Sequence, residues 1–165
     1  MKPLTEQQIR AAFVNCTKGE ATRLAVPRDL ADRPWDDLDY LGWRDPQAPD
    51  RAYLAVELDG RPRALQLRTT HSGSWQARRS MCTMCLTTHS GGVSLMVAPR
   101  AGRAGQQGNS VGAYMCSDLA CSLYVRGKRD AGAGARLHET ITLDEKIART
   151  VANLAAFVAR VSARV

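Results

Sequence analysis

The sequence predicts an α+β fold, a small antiparallel sheet with helices flanking it at the N- and C-terminal ends. Three observations carry this prediction. Helix-start signatures stand at both ends, Thr5 with Gln8 and Thr142 with Glu145. Between them lie short apolar segments set off by turn residues, among them Asp59-Gly60. Two closely spaced cysteine pairs fall in the same central stretch. At 165 residues the chain has the length of one domain, and residues 1–165 are read as one unit.

The elements follow in order. Thr5 and Gln8 cap a first helix, Leu4 and Ile9 are placed to staple it, and Ile9, Ala12 and Phe13 continue one face towards an end near Gly19. Residues 27–51 hold too many prolines for long helices but carry large apolar anchors, Trp35, Leu38, Tyr40, Leu41 and Trp43. They are read as an ordered wrap around the core, with one helical turn after Pro34. A hairpin follows, turning at Asp59-Gly60, with Tyr53 and Ala55 on one face, Leu54 and Val56 on the other, and a return strand through Ala64, Leu65 and Leu67. Residues 93–99 read as a further strand, 101–112 as a mobile glycine-rich loop, 113–115 as a strand and 119–126 as helical. The final helix starts at the Thr142 capping box, and Leu143, Ile147, Val151, Leu154 and Val158 recur at helical spacing as its core stripe.

Composition narrows the function. Hydrophobic residues make up 44% and charged residues 24%, a globular balance rather than a disordered one. No apolar run approaches the roughly 20 residues of a membrane span, so no membrane partner is expected. The N-terminal stretch has neither the apolar core nor the cleavage site of a signal peptide, which predicts a cytoplasmic protein with reduced cysteines. The net charge of +7 is unevenly distributed. Residues 60–138 carry +9, opposed only by Asp118 and Asp130, and the remainder carries −2. An acidic partner is expected.

The cysteines carry the chemistry. Cys82 and Cys85 are spaced C-x2-C; thirty residues later Cys116 and Cys121 are spaced C-x4-C. Zinc takes four thiolates tetrahedrally, and each short pair supplies two adjacent corners. The second pair straddles a strand end and a helix start, where backbone N–H groups favour thiolate charge. Knuckle, hairpin, then a helix carrying ligands in its first turn is the arrangement of a treble clef, with its zinc-binding core at about 78–130. A thioredoxin-type motif lacks the second pair, a cytosolic disulfide is disfavoured, and an iron–sulfur cluster has no other support here. One structural zinc on Cys82, Cys85, Cys116 and Cys121 is expected, with Cys16 a buried small hydrophobe. A site of four cysteines leaves no coordination position for water, so the metal serves folding rather than catalysis.

No catalytic motif accompanies it, and neither an enzyme nor a small-molecule substrate is expected. His71, His89 and His138 are read as turn or surface residues, although a metal-dependent nuclease would use such histidines. Asp36, Asp37 and Asp39 are read as a solvated, helix-capping acidic face. Arg78 and Arg79 precede the knuckle, and Arg126, Lys128 and Arg129 follow the ligand-bearing helix. Metal ligation brings the sulfurs of Cys82 and Cys121 within about 4 Å, so the two basic clusters are expected to share a partner-binding surface.

With these motifs in place, the chain resembles the C-terminal treble-clef (FBP) domain of the elongation factor G-binding, FusB-type fusidic acid resistance proteins. The resemblance rests on the CTMC knuckle, on YMCSDLACSLYVRGKR, and on FVNCTKGEATRLAVP followed by PWDDLDYLGWRDP. It runs from about Ile9 to the final helix and is nearest to actinobacterial members consisting of this domain alone. It implies a treble-clef zinc finger embedded in a small antiparallel sheet, with the four cysteines as zinc ligands. It also implies a non-enzymatic protein that binds elongation factor G at the ribosome and promotes the factor's release. The resistance proteins have a separate N-terminal helical bundle, whereas only one helix precedes the treble-clef region here. The alternative reading is a zinc finger for ribosomal RNA or other nucleic acid, although aromatic stacking residues are few.

Overall fold

A computed structural model describes residues 1–69, 79–132 and 138–163. The N-terminal segment forms α1 (Glu6–Ala12) and α2 (Lys18–Arg23). Short 3-10 turns at Leu30–Asp32 and Trp35–Asp37 lead into β1 (Tyr40–Arg44), β2 (Arg51–Leu58) and β3 (Arg61–Thr69). A small hairpin of β4 (Arg79–Met81) and β5 (Thr88–Ser90) precedes β6 (Val93–Pro99), α3 (Arg103–Gln106) and β7 (Ser110–Cys116). α4 (Cys121–Val125) and α5 (Leu143–Ser162) complete the chain's described elements. The main sheet is antiparallel in the order β1-β2-β3-β6-β7, and β4-β5 is separate.

Both faces of the main sheet are covered. Leu54, Val56, Leu65 and Leu67 face the metal site, α4 and α5; Tyr53, Ala55 and Ala64 face α1, α2 and the segment after them. That is why β2 is buried continuously from Ala52 to Val56 rather than at alternate positions. The hairpin turns at Asp59 and Gly60, both at positive φ, as its dipeptide predicts.

Capping boxes form at Thr5–Gln8 and Thr142–Glu145 as expected, and Leu4 and Ile9 are both buried. α1 stops at Ala12, short of Gly19, and a second capping box at Thr17–Glu20 starts α2. The break has a tertiary cause. Asn15 donates its amide to the carbonyls of Gln66 (2.9 Å) and Pro99 (3.0 Å) and accepts from the Gln66 N–H (2.8 Å). These bonds hold the intervening chain extended across the sheet.

Three other expectations change. The 27–51 wrap does contain the turn after Pro34, but its apolar anchors Tyr40, Leu41 and Trp43 lie in an edge strand paired along β2. The 101–112 stretch contains α3 and the start of β7. In α5 the buried stripe is Thr150, Leu154, Phe157, Val158 and Val161, whereas Leu143 is 48% exposed. The helix packs on α4 and β7, and its fully buried positions begin at Thr150. No helix among the described residues is long and apolar enough to cross a membrane.

Candidate metal centre

Two local structures build the site. In the β4-β5 hairpin the Cys82 N–H donates to the Thr87 carbonyl (2.9 Å), and the Leu86 N–H donates to the Cys82 carbonyl (2.9 Å). Leu86 adopts a left-handed conformation, closing the knuckle so that both Cys82 and Cys85 turn inward. Cys116 ends β7 and Cys121 begins α4. The turn between them is set by Leu119 at positive φ and by the Asp118 carboxylate, which accepts from the Ala120 N–H (3.0 Å). Thr83 ties the halves together, donating both its N–H and its hydroxyl to the Tyr114 carbonyl at 2.8 Å each.

All four sulfurs are buried and lie within 4.8 Å of one another, with Cys82–Cys121 and Cys85–Cys116 at 3.6 Å. Tetrahedral zinc with Zn–S bonds of about 2.3 Å requires sulfurs about 3.8 Å apart. The donor set therefore fits one zinc ion. A dication favours the thiolate on each of the four cysteines.

Two polar side chains, His89 and Tyr40, lie against this cluster. His89, expected to be a turn or surface residue, occupies the inward position of β5 and is 4% exposed. Its Nε2 is 3.3 Å from the Cys116 sulfur, and its ring packs edge-on against Tyr124 with centroids 4.6 Å apart. Gly92 makes room for it, since a Cβ there would stand 2.7 Å from His89 Nδ1. Tyr40, on β1, is fully buried, and its hydroxyl has no hydrogen-bond partner of ordinary geometry. Burial, then the neighbouring Cys121, pushes its pKa well above the usual phenol value, so it remains an O–H donor beside the sulfurs. β1 approaches closely because it has Gly42 here; a Cβ would stand 2.3 Å from that of Leu119. Donors to metal-bound thiolates tune affinity by about 10–100-fold. His89→Phe is therefore expected to lower zinc affinity, measured by chelator competition, by about that factor while keeping the fold. Equal retention of zinc by both proteins would remove His89 from this role.

The basic residues near the metal are committed internally. Arg126 forms a two-pronged ion pair with Asp39 at 2.6 and 2.8 Å, the side chains 14% and 9% exposed. Lys128 pairs with Asp37 at 2.6 Å, and Arg129 with Asp118 at 3.3 Å. This corrects the reading of Asp37 and Asp39 as solvated caps: they join the segment before β1 to the end of α4. Arg79 is exposed on β4; Arg78 and His71 lie outside the described residues. His138 is exposed. Cys16 is half-buried, away from the four ligands, and burial pushes its thiol up to about 11.

The family model described as FBP C-terminal treble-clef zinc-finger matches residues 8–161. The chain belongs to this family. Family assignment and the sulfur cluster together make one zinc ion on Cys82, Cys85, Cys116 and Cys121 the cofactor of this treble clef. Among solved structures, the fusidic acid resistance protein FusC shares the fold with a TM-score of 0.63 at 14% identity. The match covers 98% of this chain and 60% of FusC, so the chain spans about three fifths of that protein. No curated protein matches the chain.

Proposed function

We propose that this zinc protein is a non-catalytic, cytoplasmic binder of elongation factor G that promotes the factor's release from the ribosome. Membership of the FBP treble-clef family carries the reading. A closed four-cysteine site supports a structural metal, since tetrahedral ligation by protein leaves no place for an activated water. The fold it shares with FusC, a fusidic acid resistance protein, is consistent with a role of that type.

The proposed contact face lies around the knuckle and the end of α4. Met81 and Tyr114 are each 42% exposed, and the Thr83 bonds place Tyr114 against the knuckle. Exposed aromatic residues commonly anchor protein interfaces. Arg79, Lys128 and Arg129 supply rim charge for an acidic partner, and Arg78 belongs with them by sequence. Arg126 supports the face from within through Asp39.

Titration of the zinc-loaded protein with purified elongation factor G and with ribosomal RNA, at two salt concentrations, tests the proposal. Saturable binding to the factor is expected, with about a tenfold or greater loss in Tyr114→Ala and a modest change in on-rate in Lys128→Glu/Arg129→Glu. Preferential RNA binding, falling roughly a thousandfold between low and physiological salt, would replace it with the nucleic-acid reading.

A further inference from the structure

Away from the metal, a cleft of about 550 Å³ opens between α1, the chain following α2, and the end of β1. Four arginines line it, Arg10, Arg28, Arg33 and Arg44, against two carboxylates, Glu6 and Asp29. Both carboxylates are already taken. Glu6 accepts from Arg10 at 2.7 Å, and Asp29 accepts from Arg33 at 3.0 Å. No ion pair reaches Arg28 or Arg44 among the described residues. Arg44 spends two of its nitrogens on the carbonyls of Ser117 (2.6 Å) and Pro49 (2.8 Å), contacts that hold the side chain without neutralising it. Asp118, which acts on Arg44 through space, is paired with Arg129. The Nε of Arg33 is buried and has no hydrogen-bond acceptor among the described residues. A buried donor without a partner costs about 1–3 kcal/mol, and more for a charged group, unless something supplies an acceptor.

Apart from Gln47, the rest of the lining is apolar. Trp43 forms one wall, its indole N–H fixed on the Ala25 carbonyl at 2.7 Å, and Val26 and Pro27 continue it. Two unopposed guanidinium groups match a phosphate monoester, whose charge near pH 7 is about −1.5 to −2. Guanidinium forks suit its oxygens better than an ammonium would. The volume falls within the roughly 300–1,000 Å³ of small-molecule sites, larger than a lone phosphate needs.

We propose that this cleft binds a phosphorylated small molecule of nucleotide size, its phosphate on Arg28, Arg33 and Arg44 and its organic body along the apolar wall of Val26, Pro27 and Trp43. The cleft shares no lining residue with the metal centre or with the proposed factor-binding face, and the two proposals are tested with different ligands.

The test titrates the full-length zinc-loaded protein, by calorimetry, with a nucleoside monophosphate, the matching nucleoside, inorganic phosphate and a short single-stranded RNA. Saturable binding of the monophosphate is expected, tighter than that of nucleoside or phosphate alone. Arg28→Ala, at an exposed side chain with no internal partner, is expected to weaken it about tenfold or more, as is Arg33→Ala. Arg160→Ala, on the last turn of α5, is expected to leave it unchanged. Zinc content and the melting curve of each variant confirm the fold. Absence of monophosphate binding would overturn the proposal. So would equal affinity for the nucleoside or for inorganic phosphate, equal weakening by Arg160→Ala, or RNA affinity that exceeds the mononucleotide's and grows with length.

Discussion

Cys85→Ser is expected to bind no stoichiometric zinc and to lose its tertiary fold. Cys85 supplies one of the four buried sulfurs of the cluster. Serine places a harder, poorly ionised oxygen at that corner, and the remaining three thiolates lose their tetrahedral closure. In zinc-finger peptides the metal contributes about 10–16 kcal/mol at neutral pH, while whole domains are stable by about 5–15 kcal/mol. The knuckle, β7 and α4 meet at the metal, so its loss removes the joint between the small hairpin and the main sheet. Elemental analysis with near-ultraviolet circular dichroism measures both effects. Cys16→Ser is the control and is expected to retain one zinc per chain, because Cys16 lies outside the sulfur cluster. One zinc per chain in Cys85→Ser, or iron in the unmodified protein, would refute the assignment.

Features encoded in a few adjacent residues were the legible ones. The two cysteine pairs carry their ligand geometry in their own spacing, and the Thr5 and Thr142 capping boxes carry theirs in four residues each. The Thr17–Glu20 box has the same signature and was equally readable, but the expected long first helix ran across it. β1 was harder, because Gly42 interrupts its apolar pattern for a reason that lies elsewhere, in the Leu119 turn. His89 shows the same limit: the sequence reads it as a turn or surface residue, whereas it faces inward on β5 against the sulfur of Cys116, 27 residues away. The charge pairs were the least legible. Asp37 and Asp39 read locally as acidic surface, and their cations stand about ninety residues away. In the cleft, the argument depends on which arginines remain unpaired after folding, a subtraction that no sequence pattern performs.

The Asp39–Arg126 pair carries the second large effect. Both hydrogen bonds are short, both side chains are mostly buried, and the joint is reinforced where the Asp39 N–H donates to the Ser122 hydroxyl (3.0 Å). Removing one partner strands the other's charge away from water, which costs about 3–5 kcal/mol for a buried pair. Arg126→Ala and Asp39→Ala are each expected to lose that much in chemical denaturation. The double variant Asp39→Leu/Arg126→Met is expected to lose clearly less than the sum, because no charge is left unpaired. Lys128→Ala supplies the contrast, since its pair with Asp37 is 55% exposed on the lysine side. A pair of that kind contributes about 0–1 kcal/mol. Strict additivity of the two single losses would show that the residues act separately and that Arg126 stabilises through its packing alone. The same energetics decide how the factor-binding face is probed. A reversal at Arg126 weakens any interface by disturbing α4 and the Cys121 ligand that begins it, so loss of binding there reports stability. Alanine at Lys128 or Arg129 removes only a half-exposed pair worth about 0–1 kcal/mol, so loss of binding there with unchanged zinc content and melting curve reports contact with the partner.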